Sequence, residues 1–409
     1  MIDNPTLSTA RKETRPLDWV NIAFLSVTPL IAVIGTALYV HFYGLNKLDV
    51  AIFFAMYFAT GMAITGGYHR YYSHRTYECS KALQLFYLIF GAAAVENSVL
   101  RWCSDHRYHH RFVDTEEDPY NILRGGLYAH IGWIFRRNMT DLKVRFQNIP
   151  DLLKDPLVVW QDKYYLPLVG LVSFGLPTLL GALGGRALGG LFIGGFLRCV
   201  VVQHMTFFIN SLAHMWGERP YSDKDTARDS WWLGVFTFGE GYHNFHHKFQ
   251  FDYRNGIRWY QFDLSKWWLG VMSFFGQAGR FRRAPEAMIL KAKLEVEARA
   301  IAARLAAAKA PEPMWEKVQW RVEAGRVRLE AAYSQYQFAK VEYKRRKDEW
   351  SAEVRKQWKA TLADHHEELE LARERWDAMV RAMYRIPVPR AHGVFSMAFA
   401  LEVLKYKLW

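Results

Sequence analysis

Four apolar stretches, each about 18 to 25 residues long, constrain this chain more than any other feature: residues 19–43 (WVNIAFLSVTPLIAVIGTALYVHFY), 48–66, 164–183 and 188–212. At a helical rise of about 1.5 Å per residue, such lengths match the roughly 30 Å hydrocarbon layer of a bilayer. Only a few residues separate the first from the second and the third from the fourth, so the chain reads as two transmembrane hairpins. The first stretch is too long, and lacks the small-residue cleavage pattern, to be a removable signal peptide. A further apolar run, Leu83 to Val95, is short and ends in Glu96 and Asn97. It reads as a buried or interfacial helix, since a fifth span would divide the chain's histidines between the two sides of the membrane.

Basic residues orient the hairpins. Their internal connectors carry Lys47 and Arg186, whereas the segment between the hairpins holds Arg70, Arg75, Arg101, Arg107, Arg111, Arg124, Arg136 and Arg137, and the C-terminal third is more basic still. Positive charge favours the cytoplasmic face, so both termini and the middle segment are expected there. The net charge of +13 on a chain that is 51% hydrophobic reflects this segregation. No nucleic-acid partner is expected. Cys79, Cys103 and Cys199 lie far apart without CxxC spacing, which argues against a disulfide framework or zinc ribbon and fits a reduced setting.

Nine of the 15 histidines fall on that same expected face. His69 and His74 sit in HRYYSH at the end of the second span, His106, His109 and His110 in HRYHH, His214 in NSLAH as the fourth span ends, and His243, His246 and His247 in GYHNFHHKF. Residues three and four apart share a helix face, so each HxxHH run presents three imidazoles together, and Asn210 lies on the face of His214. The pair 69/74, five apart, converges less well on a straight helix and calls for a helix end. Imidazole is the commonest ligand for iron, zinc and copper, and nine donors exceed the needs of one tetrahedral ion. Two metals with four or five nitrogens each would use them. A metal-binding transporter or sensor is the alternative from another class, but transporters hold such ligands near the bilayer midplane rather than beyond the helix ends.

At these residues the chain resembles the membrane fatty acyl desaturases of the stearoyl-CoA (delta-9) type. The resemblance rests on HRYYSHRTYE, DHRYHHRFVDTEEDPYN, AHIGWIF, NSLAHMWGERPYSD and GEGYHNFHHKFQFDYRNG and covers about residues 15 to 280. It implies an all-α membrane protein: four transmembrane helices under a cytoplasmic helical cap (about 67–163 and 213–281) that holds two irons, with a bent tunnel for the acyl chain. The nine histidines are then the metal ligands, with Asn210 holding a water on one iron. Trp102 and Thr206 look like the pair that fixes the bend, and Asn97, Asp105, Arg136 and Arg137 resemble positions that contact coenzyme A. Tyr57 and Gly61, four apart on the second span, are expected at the tunnel floor. Zinc, which imidazole also binds tightly, can replace iron in protein expressed without sufficient iron.

The implied reaction takes dioxygen, two electrons, two protons and a saturated acyl chain to a cis-alkene and two waters, with the double bond expected at the ninth carbon. A di-iron fatty acid hydroxylase is the nearest rival. Ser104 stands before Asp105 where animal relatives tend to carry a basic residue, so an acyl-lipid or acyl-carrier-protein substrate stays open beside acyl-CoA. The sequence has no cytochrome b5 module, flavin or nicotinamide fingerprint or iron-sulfur cysteine set, so an external donor of cytochrome b5, ferredoxin or rubredoxin type is implied.

The chain thus divides into a cytoplasmic segment at 1–18, a desaturase domain at 19–281 and a charged helical extension at 282–409 that departs from the family. APEP at Ala310 to Pro313 separates a first helix in that extension from a very long second one, Met314 to Tyr384, with imperfect heptads open to a coiled coil and homo-oligomerisation. The ending GVFSMAFALEVLKYKLW is amphipathic and suited to a membrane surface. The Glu240/His243 ExxH spacing lacks the second ExxH and extra glutamates of a soluble di-iron bundle. The glycine-rich GALGGRALGG reads as tight packing and a short turn.

Overall fold

The computed structural model describes residues 16–137, 146–307 and 312–384. Among the described residues, four helices are long and apolar enough to cross a membrane: Trp19–Tyr43, Lys47–Ser73, Tyr165–Leu183 and Ala187–Met215. Asp18 caps the first by accepting the Asn21 N–H at 3.1 Å. Asn46 starts the second with a reciprocal cap, accepting from Leu48 N–H while Asp49 accepts from Asn46 N–H. The outward faces carry exposed Val20, Leu30, Val33, Phe54, Leu171 and Leu183, a surface that suits lipid rather than water.

At the connector end, Arg186 joins the two hairpins by an ion pair to Asp49 at 2.9 Å, and Tyr39 donates to the same carboxylate at 3.1 Å. The GALGGRALGG turn behaves as its composition suggests. Gly185 takes a left-handed φ of 70°, and a Cβ on Gly190 would stand 2.0 Å from the Pro177 carbonyl oxygen.

The second helix runs past the expected end at Gly66, because residues Ala63–Ser73 continue it with π-helical hydrogen bonding. Its total length is about 40 Å at the helical rise, more than the hydrocarbon layer requires. Similar π-helical turns interrupt the third and fourth spans at Val169–Gly175 and Gly190–Leu197. Arg198 answers for carbonyls there. Its guanidinium is fully buried and donates to the backbone oxygens of Ala93, Ser173 and Gly194 at 2.7, 2.9 and 3.1 Å.

Short helices cover the other end: Lys81–Ala93, Val99–Phe112, Pro156–Lys163, Trp231–Phe236, His243–Lys248 and Leu264–Phe274. The Lys81–Ala93 helix buries Leu83, Tyr87 and Leu88 instead of crossing the membrane. One two-residue antiparallel pairing, Glu78–Cys79 with Ala278–Gly279, ties the end of this segment back. Tyr68, Tyr77, Tyr87, Val99, Leu100, Cys103 and Leu269 form the core beneath the site.

The chain splits into two compact units, Met1–Glu218 with Lys224–Arg283, and Arg219–Asp223 with Ala284–Trp409. In the second, three helices, Glu286–Ala307, Glu312–Arg346 and Ala352–Tyr384, bury Leu294, Ile301, Val318, Val322, Leu329, Leu369 and Trp376 together. The single long helix expected from 314 to 384 is therefore two helices. The chain turns at residues 347–351, where Ser351 Oγ accepts from Val354 N–H at 3.4 Å, and the partners pack on each other. Part of the Ala310–Pro313 break, most of the N-terminal segment and the amphipathic C-terminal ending lie outside the described residues.

Candidate metal centre

The histidines converge as two groups. His69, His74, His106, His110 and His246 form one, and His109, His214, His243 and His247 form the other; within each, the candidate ligand atoms all lie within 4.8 Å of one another. Each HxxHH run is divided between them. On the Val99–Phe112 helix the i, i+4 pair 106/110 joins the five-membered group while His109 turns to the other. On the His243–Lys248 helix the i, i+4 pair 243/247 joins the four-membered group and His246 crosses over.

The awkward pair 69/74 is solved by the π-helical turn itself. Its hydrogen bonds run from i+5 to i, and one of them is His74 N–H to His69 C=O at 3.2 Å. The wider turn brings positions five apart closer to one face than an α-helix does, and both imidazoles point into one group. A local change of helix type does what a helix end was expected to do.

The donor set fits metal ions. Nε2 atoms approach each other at 2.9 Å (His69 and His246), 2.8 Å (His74 and His106), 3.0 Å (His110 and His246) and 3.1 Å (His243 and His247). Nitrogens bound about 2.1 Å from one metal at right angles would be separated by about 3 Å. The Nε2 atoms of His109 and His214 are buried with no hydrogen-bond partner, and an orphaned buried acceptor asks for such an explanation. Burial, and then the charge of neighbouring groups, chiefly histidines, holds His74, His106, His110, His243, His246 and His247 well below the usual imidazole range. They are therefore neutral, the form that binds metal.

Outer partners orient the rings through Nδ1. Glu240 contacts His69 Nδ1 at 2.9 Å and also pairs with the buried Arg70 at 3.0 Å. Asp118 contacts His109 Nδ1 at 2.8 Å. His214 Nδ1 meets Thr226 Oγ1 at 2.8 Å, and that hydroxyl donates to Asp114 at 2.7 Å. These partners fix which ring nitrogen faces the metal. Reading the sequence for ligands missed all of them, although Asp114, Asp118 and Thr226 stand within twelve residues of a histidine. Glu240 belongs to neither ligand group; the ExxH spacing places an outer partner.

A cavity of about 410 Å³ opens beside the histidines, lined by Val20, Phe24, Leu25, Ile64, Val169 and Phe207 among apolar residues and by His69, His106, His109 and His243. That volume is typical of a small-molecule site. Asn97, Trp102, Asp105, Thr206 and Asn210 also line it. Trp102 stacks on His106 with ring centres 4.9 Å apart. Tyr57 and Gly61 are not among its lining residues: Tyr57 donates to the Phe236 carbonyl at 3.0 Å, and the space over Gly61 is taken by the Phe238 ring, 2.2 Å from where a Cβ would stand. Arg136 and Arg137 are exposed, a few residues beyond the cavity-lining Trp133 and Ile134. Sequence reading also missed a role for Glu96, which lines the cavity between Trp102 and Thr206.

A family model described as fatty acid desaturase matches residues 47–283. A probable acyl-CoA desaturase of Schizosaccharomyces pombe is 40% identical over 280 residues, 68% of this chain and 57% of that protein. Acyl-CoA desaturase 1 of Saccharomyces cerevisiae is 39% identical over 313 residues, 74% of this chain and 60% of that protein. Stearoyl-CoA desaturase 5 of Bos taurus is 34% identical over 284 residues, 68% of this chain and 84% of that protein. The chain thus spans less than two thirds of the length of the two fungal relatives.

Proposed function

This chain belongs to the fatty acid desaturase family, and we propose that it is an acyl-CoA desaturase that introduces a cis double bond, at the ninth carbon, into a saturated acyl chain. The reaction uses dioxygen and two electrons from a separate protein. The observation that carries this reading is the two imidazole groups at the wall of a largely apolar cavity. His69, His74, His106, His110 and His246 would hold one iron and His109, His214, His243 and His247 the other, with Asn210 reaching the second group through a water.

When bound, the irons supply the oxidant, derived from dioxygen, that no side chain can provide for an unactivated methylene. The chain's own residues do the rest. Glu240, Asp118 and Thr226 keep the His69, His109 and His214 rings in the tautomer that presents Nε2. Apolar walls exclude water and hold the acyl chain so that one carbon pair lies by the histidines, a positioning effect that fixes the site of reaction. Trp102 and Thr206, on opposing elements of that wall, set the bend. Asn97 and Asp105 within the cavity, with Arg136 and Arg137 outside it, face the head group, whose phosphates suit the guanidinium forks. Tyr57 and Gly61, with Phe238 above them, close the far end.

Residues 19–281 form the desaturase domain and 282–409 a helical extension able to mediate self-association. Both termini and the centre face the cytoplasm, where the basic surface steers an acidic cytochrome b5, ferredoxin or rubredoxin.

The test is gas chromatography with mass spectrometry of fatty acids from cells expressing the chain, beside a His106→Ala, His109→Ala, His110→Ala variant. New monounsaturated acids that vanish in the variant are expected, and their fragmentation gives the bond position. Hydroxy acids in their place would replace desaturation by hydroxylation. An unchanged profile in cells with iron and a competent donor would overturn the enzyme reading.

A further inference from the structure

Glu96 sits in the turn between the Lys81–Ala93 and Val99–Phe112 helices, half-buried and lining the cavity. Both of its oxygens are engaged. Trp102 Nε1–H donates to Oε2 at 3.3 Å and the Thr206 hydroxyl donates to Oε1 at 2.8 Å. These partners belong to different elements, the histidine-bearing helix and the fourth span, so one carboxyl ties two walls of the cavity together.

The backbone holds Glu96 there against its own preferences. Val95 and Asn97, on either side, adopt left-handed φ values of 60° and 80°. For a β-branched valine this is a strained conformation that persists only where the surroundings impose it. The imposing contacts are visible: Arg198 binds the Ala93 carbonyl at 2.7 Å, Gln203 donates to the Val95 carbonyl at 2.8 Å, and Asn97 N–H donates to the Tyr165 hydroxyl at 3.0 Å.

The titratable groups around it come from every adjoining element. Tyr68 and His69 lie on the second span, Tyr165 on the third and Cys199 on the fourth, with Arg101 and Asp105 on the Val99–Phe112 helix and Glu240 and His243 across the cavity. Phenols and thiols carry no charge near neutral pH. Burial pushes the Glu96 carboxyl up to about 8, against the pull of hydrogen bonds from Thr206 and Trp102. An alkyl chain laid against it removes the water that solvates the ionised form, which favours the neutral form further.

We propose that Glu96 is a positioning residue whose neutral carboxyl joins Trp102 to Thr206 when the cavity is filled, so that acyl-chain binding is coupled to uptake of a proton. The inference rests on reading the cavity as the acyl site. The sign follows from linkage. The carboxyl is more basic in the complex than in the free protein, so binding is strongest below the free-state titration and weakens as pH rises through it, approaching tenfold per pH unit.

The experiment measures the equilibrium affinity of the iron-loaded full chain for stearoyl-CoA, under anaerobic conditions that prevent turnover, from about pH 7 to about pH 9.5. The wild type is expected to lose at least about tenfold in affinity over that range, while Glu96→Gln changes less than about twofold. Glutamine accepts from Trp102 and donates to Thr206, whose hydroxyl turns from donor to acceptor as it must toward the neutral acid, so its affinity should match the wild type at the acid end. A flat wild-type profile overturns the proposal without reference to any variant. So does a Glu96→Gln protein that keeps the same decline. No binding at any pH, together with no new fatty acid in cells, overturns the acyl reading and this inference with it; pH-independent binding by an active enzyme overturns only the role of Glu96.

Discussion

The two imidazole groups differ in what stands behind them. The five-membered group has the larger ligand set, and its anionic support, Glu240, is itself shared with Arg70 at 3.0 Å and with Asn255 at 2.6 Å. The four-membered group has one donor fewer but two carboxylates behind it, Asp118 directly on His109 and Asp114 through Thr226 on His214. Asp118 takes its other bonds from the backbone N–H groups of Asp114 and Tyr120. The comparison teaches that the sites compensate differently, one by ligand number and the other by negative charge behind the rings, since an anion on Nδ1 raises the basicity of the ligating nitrogen.

The largest expected effect would break the comparison's premise, that both groups serve one reaction. His74→Ala removes a ligand from the first group and His214→Ala one from the second. Each should lower desaturation by about 10³-fold or more, given the several kcal/mol that a bound metal contributes. Metal analysis should show less than two ions per chain in each case, with His214→Ala the more depleted because its group starts with four donors. Substantial product from either variant would mean that one group alone suffices.

A smaller effect, about 10- to 100-fold in metal affinity or activity, is expected from Asp118→Asn and Glu240→Gln. They should part in stability. Glu240→Gln weakens a buried ion pair with Arg70, which retains Asp263 at 2.9 Å, and should lower the thermal midpoint. Asp118→Asn removes charge from a site whose other contacts are backbone, so its effect should fall mainly on metal retention. Equal loss of stability in the two variants would erase this distinction.

Much of this was legible in the sequence, for identifiable reasons. Lipid imposes long unbroken apolar stretches, so the four spans stood out, and the HxxHH spacing on a helix gathers ligands by local geometry alone. The division of each run between two groups was not legible. It depends on how the Val99–Phe112 and His243–Lys248 helices meet in space, which spacing does not record. Nor was the π-helical turn at His69 and His74, because such a turn is decided by tertiary contacts and not by the residues in it. Asp114, Asp118 and Thr226 looked like ordinary polar residues and Glu240 stood out only for an ExxH spacing with no partner motif; only the fold sets Asp118, Thr226 and Glu240 on Nδ1 atoms, with Asp114 behind Thr226. In the C-terminal unit, the absence of proline from 314 to 386 suggested one helix. Burial of Trp376 and Leu369 with Val322 and Leu329 favours folding back at residues 347–351 instead.

The smallest effect decides what the four-membered group gains from its second carboxylate. Thr226 accepts from His214 Nδ1–H and donates to Asp114, which reaches it from a left-handed φ of 62°. Thr226→Val removes both hydroxyl bonds; if the hydroxyl serves only to hold the ring, what the metal feels is the loss of the neutral one to His214, about 0.5 to 1.5 kcal/mol, or about 2- to 10-fold in metal affinity. If it relays the charge of Asp114, the loss should instead approach that of Asp118→Asn, and Asp114→Asn should weaken iron retention to a similar degree while leaving Thr226 in place. We expect the smaller value, because a neutral hydroxyl stands between the anion and the ring, whereas Asp118 touches His109 directly at 2.8 Å. Iron titration of the three variants under one set of conditions measures the difference. A Thr226→Val protein that matches Asp118→Asn would show both carboxylates acting through charge, and the contrast between the groups would then be wider than distances to the imidazoles alone convey.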